Sequence, residues 1–269
     1  MTRYVPLDAR GWRLSMGLRP LDLDHWLEFD EHYHDELAQK AELLEGHYDV
    51  VVATEPAGDA ASAELLEEVR AFLARHHPEL PTTVDPNEHP LVAASRLVQE
   101  DLCVMINDDG WRLRAACVCF PSRWELATKI GTTLEEIHAP VPHYDEALAG
   151  PTRGVFDRLR PERSFWRLNW TLLDSPALHQ PRAARAAPSG ALEDWYFRVE
   201  RQTLRRLPAT GAVVFTIRTY VTSAAELAGA EREFVPALLH AMESAPTDTQ
   251  AYKGWTGVAT RLRAALLAQ

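Results

Sequence analysis

Leu102-Cys103-Val104-Met105-Ile106, then Asn107-Asp108-Asp109-Gly110, then Trp111-Arg112-Leu113-Arg114-Ala115-Ala116-Cys117-Val118-Cys119-Phe120 is the stretch that decides the fold. Two apolar runs flank an Asp-Gly turn, the chemistry a tight antiparallel connection requires, so a β-hairpin is predicted. Trp111, Leu113 and Ala115 fall on one face of its second strand, and Arg112 and Arg114 on the other. Beyond Ala115 both faces turn apolar, so this strand is expected to run inward. Residues 212–221, rich in Val, Thr, Ile, Phe and Tyr, give the clearest further strand, and residues 167–173 give another.

Helical signals lie on both sides. Asp24 is a good N-cap, and Trp26, Phe29, Tyr33 and Leu37 recur at three- and four-residue steps, which predicts a helix reaching Leu44. Residues 60–77 predict a second, with Leu65, Val69, Phe72 and Leu73 on one face. Four prolines make residues 78–90 a loop. Short helices are predicted over 124–130, stopped by Gly131, and up to His138, started by a capping box of Thr132 with Glu135 or Thr133 with Glu136. Ala139-Pro140-Val141-Pro142 forces an extended path. Residues 151–159, 195–206, 224–244 and 256–268 read as helices, residues 1–23 as irregular, and residues 175–192 as a mobile loop. The sum is one α+β domain with helices and strands around a single antiparallel sheet.

With 269 residues, 46% hydrophobic and 25% charged, the chain can bury a sizeable core. Its 28 basic residues against 39 acidic ones give a net charge of -11, a poor match for nucleic acid or an anionic membrane. The three cysteines, Cys103, Cys117 and Cys119, form no disulfide framework and are too few for a closed cysteine zinc site, so a reducing compartment is expected. The opening MTRYVPLDARGW has no signal-peptide character, and no apolar run approaches a membrane span. A cytoplasmic protein is expected. There is no Gly-x-Gly-x-x-Gly, P-loop, Gly-x-Ser-x-Gly, His-Glu-x-x-His or Cys-x-x-Cys motif.

Among 11 histidines, His138 stands out. It ends a short helix, is held by the stiff Ala-Pro-Val-Pro segment, and has Ile137, Val141 and Tyr144 around it. A neutral imidazole presented by a rigid turn into apolar surroundings suits a haem iron. A helix C-cap or core-packing role fits the same pattern, and His143 competes for the ligand role. Cys117 and Cys119 share a strand face, as buried structural thiols or a thiolate ligand. Arg160, Arg163, Arg167, Arg201, Arg205, Arg206 and Arg218 crowd the second half, suited to internal ion pairs or to an anionic ligand. Trp111, Trp124, Trp166, Trp170 and Tyr220 suit a core or the wall of a flat ligand.

LVQEDLCVM, ACVCFPSRWELATKIGTTLEEIHAPVP, RLNWTLLD and RVERQTLRRLPATGAVVFTIRTY, in this order and spacing, resemble the haem-dependent oxidative N-demethylase α-subunit family, long catalogued as a domain of unknown function. The resemblance covers residues 10–255. It implies a PAS-like sheet carrying haem b on a histidine, dioxygen-dependent removal of a methyl group from a small secondary or tertiary methylamine, and release of formaldehyde. It also implies electrons from NADPH through separate flavin and iron–sulfur subunits. Position in the motif gives His138 the ligand role. Alongside it, Arg167, Arg201 and Arg218 are expected to supply propionate contacts or pocket charge, and Asn169 and Tyr220 to lie near the pocket. Glu200, with Trp170, is expected to meet an alkylammonium substrate. A PAS-like haem or small-ligand sensor without turnover is the alternative, and a scaffold that has lost haem is a third reading. Formaldehyde release separates the first two, and a colourless protein would mark the last.

Overall fold

Seven strands form one sheet in the order β1-β5-β6-β7-β3-β4-β2, and every neighbouring pair is antiparallel. The strands are β1 (Arg19–Leu21), β2 (Val52–Thr54), β3 (Asp101–Asn107), β4 (Trp111–Cys117), β5 (Ser164–Leu173), β6 (Tyr196–Arg206) and β7 (Val213–Ser223). The computed structural model describes residues 4–8, 10–182 and 191–267. The expected mobile loop over 175–192 therefore lies partly outside the described residues, as does the last residue of the expected helix over 256–268.

The predicted hairpin is β3 and β4. Asp109 and Gly110 both adopt positive φ at the turn, a backbone that Gly, Asp and Asn tolerate best. A register shift between Val104 and Met105 changes which face β4 shows. Trp111 and Leu113 pack into one core, whereas Ala115 and Cys117 pack into the opposite one. The expected common face of Trp111, Leu113 and Ala115 is thus broken at the bulge.

Eleven helices are described: α1 (Tyr33–Gly46), α2 (Tyr48–Val51), α3 (Asp59–His76), α4 (Pro90–Ser95), α5 (Leu134–His138), α6 (Tyr144–Ala147), α7 (Ala149–Arg158), α8 (Ala224–Ala230), α9 (Phe234–Ser244), α10 (Thr247–Lys253) and α11 (Val258–Leu267). Among the described residues no helix is long and apolar enough to cross a membrane. Three expectations are corrected. Ala139-Pro140-Val141-Pro142 takes no extended path but turns, with Val141 N–H donating to His138 O at 2.8 Å. Asp24 caps no long helix: residues 23–25 form one 3-10 turn, and α1 begins at Tyr33. Trp26 is instead fully buried, edge-on to Phe72 at 5.9 Å. Residues 195–206 form no helix either. They are the central strand β6, bonded to β5 on one side and β7 on the other.

One face of the sheet is covered by helices along its length. Leu65, Val69 and Phe72 of α3 and Leu91 and Val92 of α4 pack on Leu102, Val104 and Val214. Leu227, Phe234, Leu238 and Val258 of α8, α9 and α11 pack on Leu172, Phe197 and Val199. The other face is covered at one end by α5 and α7, where Leu134 and Phe156 meet Cys103, Met105, Trp111 and Leu204. Along β5 and β6 that face keeps polar side chains, and there the candidate site lies.

Candidate functional site

Pairing fixes which side chains share the second face. Arg167, Asn169 and Thr171 of β5 stand opposite Gln202, Glu200 and Arg198 of β6, so these six project to one side. Glu200 organises the row. Its Oε2 accepts Asn169 Nδ2 at 3.2 Å and Gln202 Nε2 at 3.0 Å, and its Oε1 lies 3.4 Å from Arg198 Nε. Arg198, fully buried, also donates to Phe120 O at 2.5 Å and Leu178 O at 3.1 Å, tying the carboxylate to the loops that border the face.

Arg167 differs from its neighbours. Burial pushes its pKa down while the charge of Glu200 holds it up, and its buried Nε has no hydrogen-bond partner among the described residues. A buried guanidinium N–H left without an acceptor is costly unless a ligand supplies one. β5 pairs with β1 only from Ser164 to Trp166, so its edge is open beyond that point. There α10 closes in: Lys253 Nζ donates to Trp170 O at 2.8 Å, and burial lowers its pKa to about 8 against the pull of Glu200.

His138 reaches this face from α5. Thr133 caps that helix with a full capping box: its side chain takes the Glu136 amide at 3.2 Å, and Glu136 Oε2 takes the Thr133 amide at 2.7 Å. His138 Nδ1 sits 2.7 Å from Leu134 O. A carbonyl only accepts, so Nδ1 carries the proton and the lone pair is on Nε2. The ring stacks on Tyr144 at 4.4 Å and 9°. Burial lowers the imidazole pKa, and the Arg167 cation lowers it further. His138 is therefore a neutral imidazole, oriented from behind, with Nε2 available. Trp124, Ile137, Phe165 and Phe215 are partly exposed apolar neighbours on this side of the sheet.

These residues fit a haem. The donor is a neutral imidazole with a second-nitrogen anchor, the wall is aromatic and aliphatic, and the orphaned Arg167 is a ready partner for a propionate. The competitors fit less well. His143 is exposed and engaged by Asp248 at 2.7 Å. Cys117 and Cys119 are buried in the helix-covered core, and the Cys117 contact together with burial pushes the Cys119 thiol well up.

The face thus brings together His138, Arg167, Asn169 and Glu200, and it leaves out Arg201, Arg218 and Tyr220. The register pairs Leu168 with Arg201 and Arg201 with Arg218, which turns those arginines to the helix-covered side. Arg201 donates to Trp26 O at 3.0 Å and lies 3.3 Å from Glu28. Arg218 binds Asp30 at 2.6 Å and Glu36 at 2.8 Å. Tyr220 donates to Glu28 Oε2 at 2.5 Å. Trp170 also faces away from Glu200, stacked on Trp255 at 4.9 Å. Arg198, Gln202 and Lys253 were not anticipated. Gln202 is readable from Glu200 by two-residue alternation once β6 is taken as a strand, but Lys253 arrives from a distant helix and carries no local signal.

A comparison with known protein families matches residues 17–263 to the family described as "Haem-dependent oxidative N-demethylase, alpha subunit-like". The match spans nearly the whole chain, including every element that frames the polar face, and so this protein belongs to the haem-dependent oxidative N-demethylase, alpha subunit-like family.

Proposed function

We propose that the chain is the haem-carrying subunit of an oxidative N-demethylase, with His138 as the iron ligand through Nε2 and Arg167 as a propionate partner. The observation that carries this reading is the pairing of a back-anchored imidazole with an arginine whose buried Nε has no hydrogen-bond partner, on one sheet face. The central strand order β4-β3-β7-β6-β5, counted along the chain, runs second, first, fifth, fourth, third. That is how a PAS-like sheet is wound, which supports the PAS-like reading.

Bound haem supplies dioxygen activation and oxidation of a methyl C–H next to nitrogen, with electrons from NADPH through a separate flavin and iron–sulfur reductase. The protein's own side chains do the rest. Glu200 is fixed by Asn169, Gln202 and Arg198, so it presents a preorganised negative charge to a small secondary or tertiary methylammonium. Those three donors leave acceptor capacity on the carboxylate for a substrate N–H and keep it in place as the nitrogen docks. The apolar wall excludes water from the methyl group. The resulting N-hydroxymethyl amine collapses to amine and formaldehyde. Three buried free thiols suit the cytoplasm.

The test is a haemin titration of the purified chain, wild type against His138→Ala, with free imidazole added back. A Soret band with a histidine axial signature in the wild type, its loss in the variant and recovery with imidazole are expected. An unchanged axial spectrum in His138→Ala, or no Soret band in the wild type, overturns the reading. Formaldehyde release from dimethylamine with a competent reductase then separates an enzyme from a haem sensor.

A further inference from the structure

A second cleft, on the same side of the sheet as His138 but beyond the polar row of β5 and β6, is built at the far end of β6. It has a volume of about 820 Å³ and is lined by Asp157, Arg158, Leu159, Arg160, Pro161, Glu162, Arg163 and Arg206. Four guanidinium groups and two carboxylates leave this cleft positive in a chain whose net charge is -11. Several arginines elsewhere meet carboxylates: Arg96 meets Glu88, Arg114 meets Glu55, Arg123 meets Asp174 and Arg153 meets Glu135. Among the described residues Arg158, Arg160, Arg163 and Arg206 have no such partner.

The cleft is also preorganised. Arg206 lies over the Trp111 ring at 5.7 Å and donates to Leu159 O at 3.2 Å. Asp157 is taken up by Trp111 Nε1 at 2.8 Å. Arg160-Pro161-Glu162-Arg163 is a tight turn, closed by Arg163 N–H donating to Arg160 O at 2.9 Å, with proline at the position that favours it. That turn sets Arg160 and Arg163 directly opposite each other. Facing like charges destabilise a pair unless an anion lies between them. Arginine forks match the oxygens of a phosphoryl group in pairs, and the cleft has the volume of a small-molecule site.

We propose that this cleft binds the phosphoryl group of a small phosphorylated molecule, held by Arg160 and Arg163 from the turn and Arg206 from the floor. The site is independent of haem. It is tested on the full chain by calorimetric titration with inorganic phosphate, pyrophosphate and adenosine monophosphate at constant ionic strength. Saturable binding is expected, tightest for pyrophosphate, and weakened about tenfold or more by Arg160→Gln with Arg163→Gln. Arg232→Gln, an exposed arginine elsewhere, is expected to leave it unchanged. Adenosine monophosphate binding more tightly than inorganic phosphate identifies a nucleotide ligand, and equal binding identifies the phosphoryl group alone as the determinant. No saturable binding at millimolar concentration, equal loss in Arg232→Gln, or binding of a polyglutamate peptide without phosphate binding overturns the proposal.

Discussion

Glu100→Gln is expected to flatten the pH dependence of stability. Glu100 is fully buried where the chain enters β3. Its Oε1 accepts the Glu28 amide at 2.8 Å, while its Oε2 is buried with no partner. Burial is the main cause that raises its pKa from 4.5 to about 7, against the pull of Arg218 and Arg201. The folded state therefore keeps a proton that the unfolded state gives up. Below pH 4.5 both states hold it, and the group contributes no slope. Between pH 4.5 and about 7 the unfolded state binds fewer protons, so stability falls as pH rises. The integrated loss is roughly 3 kcal/mol, from the shift at 1.36 kcal/mol for each pKa unit. Asp101, raised by burial to about 6, adds a loss of the same sign at lower pH, but it is present in both proteins and cancels in their difference. Urea denaturation of wild type and Glu100→Gln from pH 5 to pH 8.5, at constant ionic strength, reads that difference. The variant is expected to gain on the wild type by roughly 3 kcal/mol across the series. A difference independent of pH refutes the protonation argument, whatever its absolute size.

Three other perturbations address the two faces separately. Arg218→Met strips Asp30 and Glu36 of their shared cation and is expected to cost about 3–5 kcal/mol in a urea melt while leaving haemin affinity unchanged, since Arg218 faces away from His138. Glu200→Gln is expected to raise KM for a methylammonium substrate about tenfold or more, with the Soret band of bound haem in place, because it removes a charge rather than the iron ligand; an unchanged KM removes Glu200 from substrate binding. Thr133→Ala deletes the cap of the five-residue helix that carries His138 and is expected to cost about 1 kcal/mol, seen as a similar loss in haemin affinity.

The hairpin and β7 are legible because their signals are local. An Asp-Gly turn between apolar runs, and a run of β-branched residues, each point to a strand without knowledge of the rest of the chain. α3 and the capping box of α5 are legible for the same reason. Residues 24–32 mislead because an apolar periodicity can arise by chance where each aromatic serves a different contact: Trp26 packs on Phe72, and Phe29 on Tyr33 and His77. β6 misleads more deeply. A half-buried strand alternates apolar with polar, but β6 is buried over most of its length and carries polar residues on both faces. Phe197, Val199, Arg201 and Thr203 face the helices, with Arg201 satisfied by Glu28, while Arg198, Glu200 and Gln202 form the row beneath the site. The buried ion pairs erase the period-two pattern and leave a charged, helix-like composition.

That single error propagates into the choice of site residues. On a helix, Glu200 and Arg201 differ by about 100° and can border one pocket. On a strand they point to opposite faces. The choice of element therefore decides whether Arg201 is a ligand for an anion or a structural cation. The antiparallel register carries the decision further, since Arg201 stands opposite Arg218, and Tyr220 follows Arg218 on the same side. Asn169, opposite Glu200, goes with the site, and Arg167 goes with Asn169. Parity alone sorts six of the expected residues, four strand positions by pairing and two by alternation, and the chemistry agrees with it: the arginines turned to the helices have carboxylate partners at 2.6 to 3.3 Å, whereas Arg167, turned to the His138 face, makes no such ion pair among the described residues. Arg167 thus keeps only the longer-range charge of Glu200 and a buried Nε without a hydrogen-bond partner, which is what makes it a candidate for an anionic ligand.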